Sequence, residues 1–118
     1  LIISAGSILN ECIEVAETLK NENLSTAIIN MHTIKPIDEE AIIKHAKNKK
    51  LIVTIEEHNI IGGLGSAVAE TISKDNKISK LLRLGIQDSY SKSGSYNYLK
   101  KINRLVPEKI IEDIKKNL

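Results

Sequence analysis

The sequence predicts an α/β fold: a three-layer sandwich with a mostly parallel sheet of about five strands and helices on both faces. Three observations predict it. Short, β-rich apolar runs alternate with stretches of helical periodicity. The connections between them are short, as in repeated strand-helix units. The run Leu51-Ile52-Val53-Thr54-Ile55 is almost continuously apolar, as in a strand buried on both faces.

Leu1-Ile2-Ile3-Ser4 is the first strand, and Ala5-Gly6-Ser7 ends it. From Ile8 onward, Leu9, Cys12, Ile13, Ala16 and Leu19 fall on one helical face. Asn21-Glu22-Asn23 breaks that helix, and Ser25 to Asn30 reads as a second strand. Pro36 biases Lys35 away from helical geometry. Asp38 suits an N-cap, since its carboxylate can accept from the free N–H groups of a first turn. Ala41, Ile42 and Ala46 then give an apolar face, with Ile43 at its margin.

Leu51 to Ile55 is the third strand. After the glycines, Leu64, Ala67, Val68, Thr71 and Ile72 mark a helix that Asp75-Asn76 ends. Lys80 to Leu84 is a fourth strand, closed by Gly85. Gln87 to Tyr96 is polar and turn-rich, Asn97 to Lys101 suits a short helix, and Pro107 opens a last one. Ile110, Ile111, Ile114 and Leu118 mark its inner face.

The 118 residues suit one domain, 1–118, and such a chain can bury roughly two-thirds of its unfolded surface. With no Phe or Trp and three Tyr, the core must be aliphatic. Seventeen basic and fifteen acidic residues give a net charge of +2, too balanced for an electrostatic nucleic-acid surface. No apolar run approaches the roughly 20 residues of a membrane span. Cys12 is the lone cysteine, so an internal disulfide is excluded and a reduced, cytoplasmic setting is expected. The chain opens at Leu1 inside a strand, as a piece of a longer protein would.

The stretch Glu56-Glu57-His58-Asn59, followed by Gly62, Gly63 and Gly65, invites a phosphate-binding reading. Two of its requirements fail. Gly63-Leu64-Gly65-Ser66-Ala67-Val68 lacks the last small residue of the dinucleotide fingerprint, and the following strand ends in no carboxylate. Two glutamates at the turn would also repel a pyrophosphate, and no Lys-Ser/Thr follows for a P-loop. The glycines fit other needs: positive φ or close backbone approach at Gly62 and Gly63, and tight helix-sheet packing at Gly65.

These residues carry a family resemblance. The run "EEHNIIGGLGSAVAE" strongly resembles the C-terminal domain of transketolase-like thiamine diphosphate enzymes. "SAGSILNECIEVAETL", "INMHTIKPIDEEAI" and "LLRLGIQDSYSKSGSYNYLKKINRLVPEKI" resemble other segments of that domain, in the same order, so essentially the whole chain is covered. Ser93-Gly94 after Asp88 looks more like the short or split transketolases than like deoxyxylulose-phosphate synthase, which usually has His-Gly there. Asn103-Arg104-Leu105 departs from a common Gly-Leu, a change that Asn tolerates through its ease in left-handed geometry.

The resemblance implies a parent enzyme that moves a two-carbon ketol unit between sugar phosphates, with thiamine diphosphate and Mg²⁺ held by two other domains. The Gly-Asp-Gly motif of the diphosphate-binding domain is absent from this chain, as is the pyrimidine-binding domain. The domain is then expected to hold no catalytic residue, cofactor or metal. It would pack on the pyrimidine-binding domain and support a homodimer or a split-subunit assembly. Glu56, Glu57, His58, Asn59, Gly62, Gly63 and Gly65 are its candidate domain interface. They lie beyond the strand C-terminal ends with Gly6-Ser7 and His32-Thr33.

Competing readings are open on the same residues. Glu56, Glu57 and His58 could do acid-base work, although strand neighbours point to alternate faces. His32, His45 and His58 match no metal-ligand spacing. Tyr90, Tyr96 and Tyr98 could stack on single-stranded nucleic acid but lack a basic stripe beside them. The parent could instead be deoxyxylulose-phosphate synthase or a 2-oxoacid dehydrogenase beta subunit, or the chain could be an independent flavodoxin-like binding module.

Overall fold

The computed structural model describes residues 1–75 and 80–118. Four strands form one sheet: β1 (Ile2–Ala5), β2 (Ile28–Asn30), β3 (Ile52–Asn59) and β4 (Leu81–Ile86). Their order is β2-β1-β3-β4, and every pairing is parallel. The helices are α1 (Leu9–Asn21), entered through a 3-10 turn at Gly6–Ile8, then α2 (Glu39–Ala46), α3 (Leu64–Ile72), α4 (Tyr96–Ile102) and α5 (Pro107–Asn117). Asn76, expected with Asp75 to end α3, lies outside the described residues.

The alternation of strand side chains divides the core into two layers. Ile2, Val53 and Ile55 face α1 and α5, meeting Cys12, Val15, Leu19, Ile110 and Ile114. Ile3 and Ile52 face α2 and α3, meeting Ile42, Ala46, Leu64 and Val68. The central strands β1 and β3 are therefore buried on both sides, which is why Leu51 to Ile55 contains no exposed position. The chain steps from β1 to β2 through α1, then returns across β1 to β3 through α2. That reversal puts α1 and α2 on opposite faces, as right-handed crossovers require.

Local chemistry sets the element ends. The Asp38 carboxylate accepts from Ala41 N at 2.9 Å and caps α2. Ser95 caps α4 in the same way, accepting from Tyr98 N at 3.3 Å. Pro107 occupies the first turn of α5, where no N–H is needed.

Four expectations need correction. The sheet has four strands among the described residues, not about five, because Gln87 to Ser95 is exposed, polar chain with no apolar run to pair. On α1 the buried face is Cys12, Val15 and Leu19, while Ile13 is 43 % exposed, since the helix sits about one position round from the expected stripe. On α5, Leu118 lies past the last turn and is exposed. The left-handed residue after α4 is Arg104 (φ 60°), not Asn103. Asn103 stays close to helical geometry, its amide donating to the Leu99 carbonyl at 2.9 Å, and the Arg104 guanidinium pairs with Asp113 at 2.6 Å.

No helix among the described residues is long and apolar enough to cross a membrane. Cys12 is fully buried, and burial is the main cause that pushes its thiol up to about 11. At neutral pH it should therefore react with a thiol reagent orders of magnitude more slowly in the native protein than in denaturant. Rapid native labelling, followed by absorbance, would contradict the packing of α1 on the sheet.

Candidate functional site

Strand β3 outruns the regular sheet. Ile55 pairs with Leu84, but the register slips before Asn59 meets Ile86. Glu56 shares the strand face of Ile52 and Thr54, so its side chain enters beneath α3 and is 3 % exposed. One carboxylate oxygen accepts from Leu64 N at 2.7 Å and the other from Gly65 N at 2.8 Å. These are unpaired donors of the first turn of α3, whose own N-cap residue, Gly63, has no side chain to offer. The helix is capped from the neighbouring strand, at the end where its dipole favours a negative group.

This arrangement explains the glycines. A Cβ on Gly63 would lie 2.0 Å from a Glu56 carboxylate oxygen and 2.8 Å from the Asn59 carbonyl oxygen. A Cβ on Gly65 would lie 2.8 Å from both Thr54 Oγ1 and Arg83 Cδ. Gly62 has φ +77°, in the left-handed region that suits glycine. Ser66 then straps the loop: its Oγ accepts from Gly62 N at 2.9 Å and donates to the Ile60 carbonyl at 3.2 Å. Arg83, from β4, also reaches Ser66 Oγ, at 3.3 Å.

Glu57 points the other way and is half-buried. It accepts from Ser7 Oγ and interacts with the Tyr96 hydroxyl, which is itself 3.5 Å from Ser7 Oγ. The Glu57 carboxylate is the main cause that raises the Tyr96 phenol above its ordinary pKa, because it accepts from the neutral form. Lys100 lies 4.6 Å from the centre of the Tyr96 ring and is ion-paired with Glu11. The His58 side chain is 68 % exposed; its Nδ1–H donates to the Asn59 carbonyl at 2.9 Å and lies 4.0 Å from Glu56. Asn59 accepts from Ile61 N at 2.8 Å and donates to Asp88 at 3.2 Å, tying this loop to the one after β4.

The three consecutive residues therefore do three things. Glu56 and His58 approach each other, Glu57 belongs to a different cluster, and no acid-base triad forms. Around them lies a cleft of about 460 Å³, lined by Ala5, Gly6, Ser7, Ile34, Glu56, Glu57, His58, Gly62, Gly63 and Leu64. Ala5 and Glu56 are register partners, so the cleft opens at the C-terminal end of β1, beside the last residues of β3, where the strand order reverses. That crevice is the usual ligand or partner position in open parallel sheets. Asn59 and Gly65 support it without lining it. His32 and Thr33 line a separate hollow of about 130 Å³, and His45 is exposed on α2. Among the described residues no group of three or more His, Cys, Asp or Glu is arranged to hold a metal ion.

Sequence reasoning missed Ile34, which gives the cleft an apolar wall, and the contact of the Tyr96 hydroxyl with Ser7, 89 residues away, and with Glu57. It also missed the cap by Glu56, whose only sequence signal was a buried-strand run ending in a carboxylate ahead of a glycine-led helix.

A parallel sheet covered by helices on both faces, with a helix start capped from the neighbouring strand, defines the class: an α/β domain of the open parallel-sheet type. The sequence matches the family "Transketolase, C-terminal domain" over residues 1–110, and the chain belongs to it. It is 45 % identical over 119 residues to a protein of Methanocaldococcus jannaschii named as a transketolase C-terminal section, covering 98 % of this chain and 37 % of that protein. It is 34 % identical over 110 residues to the 6-deoxy-6-sulfo-D-fructose transketolase subunit SqwH of a Clostridium species, covering 93 % of this chain and 34 % of the subunit. A solved structure titled as a split gene transketolase, inactive beta4 tetramer, superposes with a TM-score of 0.90 at 32 % identity, over 99 % of this chain and 38 % of that one. The chain thus spans little more than a third of these relatives.

Three substitutions probe the corner. Glu56→Ala leaves two buried N–H groups unpaired and should lower stability by about 1–3 kcal/mol. Gly65→Ala, forced against Thr54 and Arg83, should cost about 1–3 kcal/mol. His58→Ala should stay within about 0.5 kcal/mol, as an exposed side chain does. Urea unfolding midpoints check all three, and an unaltered midpoint for Glu56→Ala would refute the cap.

Proposed function

We propose that this domain is a non-catalytic part of a transketolase-type enzyme, supporting domain packing and assembly. The parent would transfer a two-carbon ketol unit between sugar phosphates, in the cytoplasm, using thiamine diphosphate and Mg²⁺ bound by upstream pyrimidine- and diphosphate-binding domains, in the same chain or a partner subunit. In this reading the cofactor supplies the carbanion chemistry, and this chain contributes position and shape.

One observation carries the reading. The glycine corner has the form of a phosphate cradle, yet its amide donors already hold the Glu56 carboxylate. A diphosphate does not fit there, because it would meet a buried negative group in place of free N–H donors. What the corner still offers outward is the cleft, flanked by the exposed apolar residues Ile34 (42 %) and Ile61 (63 %). A rigid corner with exposed apolar flanks suits a protein contact.

Two further findings support it. The chain covers about a third of its relatives, which leaves room for the catalytic domains elsewhere. The same domain type is 36 % identical over 99 residues to part of a 1-deoxy-D-xylulose-5-phosphate synthase of Heliobacterium modesticaldum, covering 84 % of this chain and 15 % of the synthase. Enzymes named for different reactions share the domain, which supports a role for it apart from donor and acceptor choice.

In the full-length assembly, Glu57→Ala and His58→Ala should each weaken association about tenfold, the effect of removing roughly 1.4 kcal/mol of contact. Sedimentation velocity reads the change, and unchanged assembly argues against this face as the contact. Calorimetry of the 118-residue chain with thiamine diphosphate and Mg²⁺ should show no tight binding. A tight complex would overturn the division of labour.

A further inference from the structure

The chemistry of what enters the cleft follows if the corner is an interface, so this inference rests on that reading. Ala5 and Ile34 give the cleft apolar sides, and Glu56 and Glu57 lie in its lining with no lysine or arginine beside them among the described residues. Lys100 feels the Glu57 charge, yet it is ion-paired with Glu11 and lines a different hollow. Among the described residues, no lysine or arginine of the cleft lining offsets these carboxylates, and the exposed His58 stands at the rim.

Acceptor capacity sharpens the point. An ionised carboxylate offers about four lone-pair sites. Glu56 uses its buried oxygens on two backbone N–H groups. Glu57 receives the Ser7 hydroxyl and the Tyr96 phenol and is only half-buried, so solvent serves its remaining sites. A protein surface laid over the cleft would expel that solvent. A desolvated carboxylate is costly unless a cation with well-placed donors replaces the water. A guanidinium meets this need best, since its planar fork gives two parallel bonds to one carboxylate. Its methylene stem also packs on apolar walls.

We infer that the cleft receives an arginine side chain of the neighbouring domain, with its guanidinium on the Glu57 carboxylate and its stem along Ala5 and Ile34. The contact selects the partner by charge, while Ile34 and Ile61 supply the apolar surround.

The test follows association of the full-length assembly across a range of NaCl concentrations by sedimentation velocity. Where the neighbour is on the same chain, hydrogen exchange at the amides of 56–65 reads docking instead. Glu57→Gln keeps the shape but removes the charge. It should weaken association about 10–100-fold at low salt and flatten the salt dependence. Tyr96→Phe removes an internal donor but leaves the carboxylate, and should keep both affinity and salt dependence. A Tyr96→Phe loss equal to that of Glu57→Gln would mean Glu57 acts only within its own fold, and would overturn the inference. Ile34→Asp tests the face itself. If Ile34→Asp weakens association and Glu57→Gln does not, the arginine is refuted and the interface stands. If neither has an effect, the interface reading fails and the inference with it. Should Glu57→Gln lower the melting temperature, Glu57→Asp replaces it: retained salt dependence supports the inference, and its loss overturns it.

Discussion

The bidentate hold of Glu56 on the first amides of α3 is the interaction on which the rest of this corner depends. A buried carboxylate is tolerated because it meets charge-assisted donors at the positive end of a helix. It joins the middle of the sheet to the start of a helix and so fixes where α3 begins. It also dictates the sequence around it. The carboxylate approaches so closely that Gly63 cannot carry a Cβ, and α3 lies so near β3 and β4 that Gly65 cannot either. The glycines serve an anion after all, but the anion is part of the chain.

That internal use of the helix terminus shapes the domain's role. In open parallel sheets the crevice at a strand-order reversal commonly holds a ligand. Here β1 and β3 form the reversal, and the amides that would greet a phosphate are occupied. The cleft that remains has a polar floor with apolar flanks, in keeping with the protein contact proposed for it. The loop over it is held by Ser66, Arg83 and Asn59, so little ordering is left to occur on contact.

Much of the architecture was legible because local patterns and tertiary burial agree here. Leu51 to Ile55 reads as doubly buried from its residues and is so. Asp38 reads as a cap and accepts the expected amide. Legibility failed where one residue's place depends on something distant. Ile13 and Val15 are both apolar, and only the lie of α1 on the sheet decides which is buried. Asn103 has the better left-handed propensity, yet its bond to Leu99 and the pairing of Arg104 with Asp113 move the turn by one residue. Tyr96 carries no local sign that it reaches Ser7 and Glu57.

The sequence by itself determined the class of fold, the order of its strands and helices, and the family, because periodicity and turn chemistry are local and recur in register along the whole chain. It also excluded a nucleotide fingerprint at the glycines. Only the tertiary structure decided what those glycines serve. Strand alternation sends Glu56 and Glu57 to opposite faces, but which donors await each carboxylate, helix-end amides for Glu56 and the Ser7 and Tyr96 hydroxyls for Glu57, depends on how the helices pack on the sheet. That packing is a long-range outcome of burying two aliphatic layers at once, and no window of sequence contains it.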